Sequence, residues 1–125
     1  MAEIANGRVR RVVLAESDAG QRSALAAVLR AAELEVVEVA SGFGAFRSFV
    51  EFRGEVDLVI APYAMREYDG PALARGLATL APDLPVMLVG GEGEGTVRQA
   101  GNVRCVAGRA GEAELLRRAQ LALAG

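Results

Sequence analysis

The stretch Asp57-Leu58-Val59-Ile60-Ala61-Pro62-Tyr63-Ala64-Met65-Arg66-Glu67-Tyr68-Asp69-Gly70-Pro71 decides the fold. The run that leads into it, Val56–Ala61, is almost entirely apolar and short, which predicts a strand buried on both faces. Pro62 bounds that strand, because a residue without an N–H suits a strand end and not its middle. After a polar loop, Gly70-Pro71 opens a helix with proline at its first position. Leu73, Leu77 and Leu80 share one face of that helix, and Ala81-Pro82 stops it.

The same alternation runs outward in both directions. Val12–Ala15 reads as a strand ending at Glu16-Ser17-Asp18, and Asp18 with Gln21 has capping-box spacing ahead of a helix carrying Leu25, Val28, Leu29 and Ala32. Val36, Val37 and Val39 give a second strand, and Ser41-Gly42 opens a helix through about Arg53. Val86–Val89 and Val103–Ala107 are strands four and five, and Glu112–Leu123 is a last helix with its acids first and Arg117-Arg118 later. Five apolar strands separated by helices predict an α/β fold, a three-layer sandwich with a parallel sheet covered on both faces. The expected order is the flavodoxin-like 2-1-3-4-5, which places Glu16, Ser17, Asp18 and Pro62 at the crevice where strands one and three end.

The chain of 125 residues fits one domain, and 52% hydrophobic with 24% charged residues is an ordinary globular composition. An N-terminal arm is expected over 1–10 and the domain over 11–125. The net charge of −2 gives no bulk attraction to nucleic acid or to an anionic membrane. All 14 basic residues are Arg, and neither Lys nor His occurs. That excludes a Schiff base, a catalytic imidazole and a histidine-containing metal site. The lone Cys105, the lack of a signal-peptide core in Met1–Gly7 and the lack of a bilayer-length apolar run lead us to expect a cytoplasmic protein.

From about Arg11 onward the chain resembles the receiver domains of bacterial response regulators and chemotaxis proteins. The resemblance rests on the acidic patch after strand one, Gly42-x-x-Ala45-Phe46, the Asp57–Gly70 segment, Leu84-Pro85-Val86 and Glu114-Leu115-Leu116. It implies two-component signal transduction and a phosphorelay chemistry that this chain lacks the residues to perform. The position of the phosphate-accepting aspartate holds Pro62, which has no side-chain nucleophile. The acidic pair that helps hold magnesium corresponds to Glu16 and Ser17. Asp18 follows, and its spacing to Gln21 favours a helix cap over a metal ligand. The hydroxyl residue after strand four corresponds to Gly90, the switch aromatic to Cys105 and the lysine to Gly108, with Arg109 one step on. This is the pattern of a pseudo-receiver, so no enzymatic activity, cofactor or metal is expected.

The interval from Gly90 to Gly108 is about one helical turn shorter than the family's and begins Gly90-Gly91-Glu92-Gly93-Glu94-Gly95. Consecutive glycines disfavour helix, so helix four is expected to be short, Thr96–Ala100. Glu92 and Glu94 and the missing Lys-Ser/Thr ending argue for a linker rather than a phosphate-binding loop. Phe43, Phe46, Phe49 and Phe52 walk around helix two. Phe46 and Phe49 match core positions, which leaves Phe43 or Phe52 to face outward, either packed under adjoining loops or meeting a partner.

These readings describe a phosphorylation-independent receiver-like domain that acts as a protein-interaction module. The expected partner is a sensor kinase, another regulator or a second copy in a homodimer. The candidate interaction surface is Arg98, Arg104, Arg109, Arg117, Arg118 and Phe43. The alternative is a small-ligand or cyclic-dinucleotide sensor using the crevice or the arginine patch, to which Arg8, Arg10 and Arg11 also belong.

Overall fold

The computed structural model describes residues 4–5, 8–90, 103–106, 108 and 111–124. Within the arm, β1 (Ile4–Ala5) and β2 (Arg8–Val9) pair antiparallel as a short hairpin. The remaining strands form one parallel sheet: β3 (Arg11–Ala15), β4 (Glu35–Val39), β5 (Leu58–Pro62), β6 (Val86–Val89) and β7 (Val103–Val106). Their order is β4-β3-β5-β6-β7, which is 2-1-3-4-5 counted along the chain within that sheet. The predicted fold class is therefore the observed one. The short fourth helix expected over Thr96–Ala100 lies outside the described residues.

Side chains alternate across the sheet and fill two cores. Val13, Ala15, Val59 and Ala61 point into one, with α2 (Gly42–Glu51) and α3 (Gly70–Leu80) packed over them. Val12, Leu14, Leu58 and Ile60 point into the other, under α1 (Ala19–Ala31) and α4 (Glu112–Ala124). The central strands are buried on both faces. A uniformly apolar strand sequence is the consequence of being covered from both sides.

The third sheet strand is shifted from its expected Val56–Ala61 and includes Pro62 as its last residue. The missing N–H costs no bond to β6, because Tyr63 donates the last rung to Val89 O at 2.7 Å. Pro71 sits second, not first, in α3, where Asp69 is the N-cap and accepts Ala72 N–H at 2.9 Å. The second helix stops at Glu51. There Arg53 enters the left-handed region with φ 56, and Gly54 N–H returns to Phe49 O at 3.0 Å. Glu33, φ 66, ends α1 the same way, with Leu34 N–H on Leu29 O. Both are the 6→1 closure that ends many helices, built here without glycine at the left-handed position.

At the amino ends of the strands, Arg11 joins three segments. Its N–H donates to Asp57 at 2.7 Å, and its guanidinium donates to Glu35 at 2.6 Å and to Glu55 O at 2.8 Å. The same guanidinium lies 4.0 Å from the centre of the Phe52 ring. Arg11 is thus occupied in holding the amino end of the sheet together.

Candidate functional site

The carboxyl ends of β3 and β5 bring Glu16, Ser17 and Pro62 to one end of the sheet, as the topology requires. The acids there are used locally. The Glu16 carboxylate accepts Asp18 N–H at 2.9 Å, and the Asp18 carboxylate accepts Gln21 N–H at 2.8 Å. Asp18 is thus the N-cap of α1, the reading its spacing favoured. Arg22 donates to Glu16 O at 2.7 Å and pairs with Glu38 at 3.5 Å. No group of three or more acidic or thiol side chains is placed to hold a metal among the described residues.

Gly90 follows β6 with φ +96, and its N–H donates to Val106 O at 2.8 Å. That conformation suits glycine and strains any residue with a Cβ, so the backbone itself disfavours a hydroxyl side chain here. Gly108 is exposed and supplies no side chain. Cys105 is half-buried in β7 beside Leu88, against the α2–α3 core, and its thiol is free.

Between α1, β5, β6 and the start of α4 these ends enclose a cleft of about 530 Å³. Pro62, Val89, Leu25, Leu115, Glu16 and Glu112 line it, together with Gly108. The cleft has the volume of a small-ligand site and a largely apolar lining. Among its described residues, no side chain offers a nucleophile beside a base.

Among the described residues, the candidate interaction residues do not converge. Arg117 and Arg118 lie on α4, on one side of the sheet, and Phe43 lies on α2, on the other. Arg104 is exposed on the edge strand β7. Arg98 and Arg109 fall outside the described residues. Arg117 and Arg118 are also not free cations, because both grip Glu114, at 2.8 Å each. Hydrogen bonds from Arg117 and then Arg118 hold the Glu114 carboxyl down at about 2. The same bond raises Arg117 above its ordinary value. One turn further along this face, Leu121 is 56% exposed.

Of the two phenylalanines left open by helical spacing, Phe43 is the outward one, 54% exposed, while Phe52 packs against the core beneath Arg11. Sequence reasoning did not single out Tyr68. Its ring stacks on Phe43, with centroids 4.9 Å apart and planes 9° from parallel, and meets Phe46 edge-on at 6.4 Å. The signal was the pair of small residues, Gly42 and Gly76, that make room for it.

A receiver domain from Clostridium thermocellum superposes with a TM-score of 0.84 over 93% of this chain and 95% of that one, at 17% identity. The receiver domain of the hybrid histidine kinase CckA is 29% identical and superposes with a TM-score of 0.76, covering 90% of this chain and 98% of that one. The fold is that of a response-regulator receiver. By sequence, the chain matches the sensor kinase CckA of Brucella abortus (strain 2308), 36% identical over 83 residues. That match spans 66% of this chain and 9% of the kinase, so the chain corresponds to a small part of that relative. No family model matches the chain.

Proposed function

We propose that this receiver-fold domain works without phosphorylation, as a protein-interaction module in two-component-type signalling. The observation that carries the reading is Pro62 at the carboxyl end of β5, the strand end that faces the crevice, where the family resemblance calls for an aspartate. A proline side chain cannot attack a phosphoryl donor. The surroundings support the same reading. Glu16 and Asp18 are committed to the α1 cap, Gly90 and Gly108 present no hydroxyl or cation, and Cys105 replaces an aromatic ring. Output then depends on a constitutive surface, whose affinity is set by contacts and not by a phosphate-driven population shift. The similarity to a kinase-borne receiver makes a sensor kinase or another regulator the partner class to test first. The outer face of α4, with Arg117, Arg118 and Leu121, is the proposed contact.

The test is direct. Acetyl phosphate with magnesium should leave the intact mass unchanged, and beryllium fluoride with magnesium should leave the amide NMR spectrum unchanged. A stoichiometric phosphoryl adduct on any carboxylate would overturn the reading.

The cleft of about 530 Å³ favours a second reading, a small-ligand sensor on the same scaffold. Isothermal titration with nucleotides and cyclic dinucleotides separates the two. Saturable binding that shifts the amides of Ala15, Ala61 and Leu115 would support the sensor.

A further inference from the structure

Three glycines surround one loop. Gly42 opens α2, Gly70 opens α3 and Gly76 lies in the middle of α3. A Cβ at Gly42 would collide with Tyr68 O, and one at Gly76 would collide with the Tyr68 hydroxyl. At Gly70 it would lie 2.6 Å from Pro62 O and 2.9 Å from Tyr63 O. Glycine is a poor residue for a helix interior, so Gly76 calls for a reason, and Tyr68 supplies it. Glu67 adds a second cost. With φ 64 it occupies the left-handed region, which residues with side chains seldom enter, and it does so immediately before Tyr68. The backbone turns there and the next side chain passes between α2 and α3, against Phe43 and Phe46. Met65 packs into the same core, 3.3 Å from where a Gly42 Cβ would stand.

We propose that Tyr68 is a latch that holds residues 63–69 closed against α2 and α3, with Phe43 as its surface-accessible half. The loop leaves the crevice at Pro62 and rejoins the fold where Gly70 N–H donates to Tyr63 O at 3.0 Å. The stacked ring is therefore what keeps the segment beside Pro62 in one place. Phe43 is 54% exposed, so its ring is the half of the latch that can be reached from outside. The latch stands whether or not the crevice takes a phosphoryl group.

Amide hydrogen exchange on the full chain tests it. Tyr68→Ala should lower protection at Tyr63 and Gly70 about tenfold while Val13 and Val59 in the sheet keep theirs, as expected for a local opening. Tyr68→Phe, which keeps the ring, should keep the protection. Unchanged exchange at Tyr63 and Gly70 in Tyr68→Ala would overturn the latch. So would a uniform rise across loop and sheet, which would make Tyr68 an ordinary contributor to global stability. If Tyr68→Ala does not fold, Phe43→Ala is read the same way. A rise confined to residues 63–70 supports the latch, and no rise overturns it.

Discussion

The Glu16 carboxylate accepts the backbone N–H of Asp18 at 2.9 Å, so the first acid after β3 holds the second in place. Asp18 in turn caps α1 through Gln21 N–H at 2.8 Å. Both carboxylates therefore satisfy backbone donors that the start of a helix leaves open.

Replacing the cap should show this as stability. Asp18→Ala is expected to cost about 1 kcal/mol, the usual penalty for losing such a cap, and Asp18→Asn much less. Urea melts check both. Millimolar magnesium should leave the midpoint of the unchanged protein where it is. A magnesium-dependent rise lost in Asp18→Ala would return Asp18 to a metal role.

The fold class was legible because the central strands are apolar on both faces and the helices between them are amphipathic, and period and composition record both. The start of α1 was legible through the capping spacing of Asp18 and Gln21, that of α2 at Ser41-Gly42 and that of α3 through Gly70-Pro71, whereas the Asp69 cap was found only in the fold. The ends of α1 and α2 were not, because Glu33 and Arg53 stand where glycine would have marked the stop. At the site, Pro62 could be placed from the strand it ends. The division of Phe43 from Arg117 and Arg118 could not be read along the chain, because it depends on which side of the sheet each helix packs. The Tyr68 stack is likewise a contact between a loop and two helices, with no local sequence period of its own.

Restoring the acceptor alone should not restore switching. Pro62→Asp puts a carboxylate at the same sheet end as Glu16, which adds like-charge repulsion. It supplies neither hydroxyl nor cation. Adding Gly90→Thr is expected to destabilise the fold, because φ +96 admits a Cβ only with strain, of order 1–3 kcal/mol. Phosphorylation assays and thermal melts of the single and double variants check this. A phosphate-driven spectral change in Pro62→Asp would overturn it.

Acid should expose the α4 ion cluster. The Glu114 carboxyl is held at about 2 against its ordinary 4.5, so its contribution is present above the unfolded value and is lost as pH falls through the folded one. The stability slope between those values should flatten in Glu114→Gln. The group is exposed, so salt should shrink the effect in the unchanged protein. Urea midpoints from pH 5 down to about 2, at low and high salt, check the sign. A slope that survives in Glu114→Gln would assign it to other carboxylates.

The two sides of the sheet should separate in a binding assay. Charge reversal at Arg117 and Arg118 would crowd three carboxylates onto one face of α4, because both residues grip Glu114. The cleaner variant is Arg117→Gln with Arg118→Gln, expected to leave the melt within about 0.5 kcal/mol because the pairs are solvent-exposed. If the partner reads α4, this variant should lose capture of a purified candidate kinase or regulator, mainly through the loss of exposed cations. Phe43→Ala, on the opposite layer, should then leave capture unchanged. The reverse outcome, capture lost with Phe43→Ala and kept without the arginines, would move the interface to α2, onto the ring that covers Tyr68.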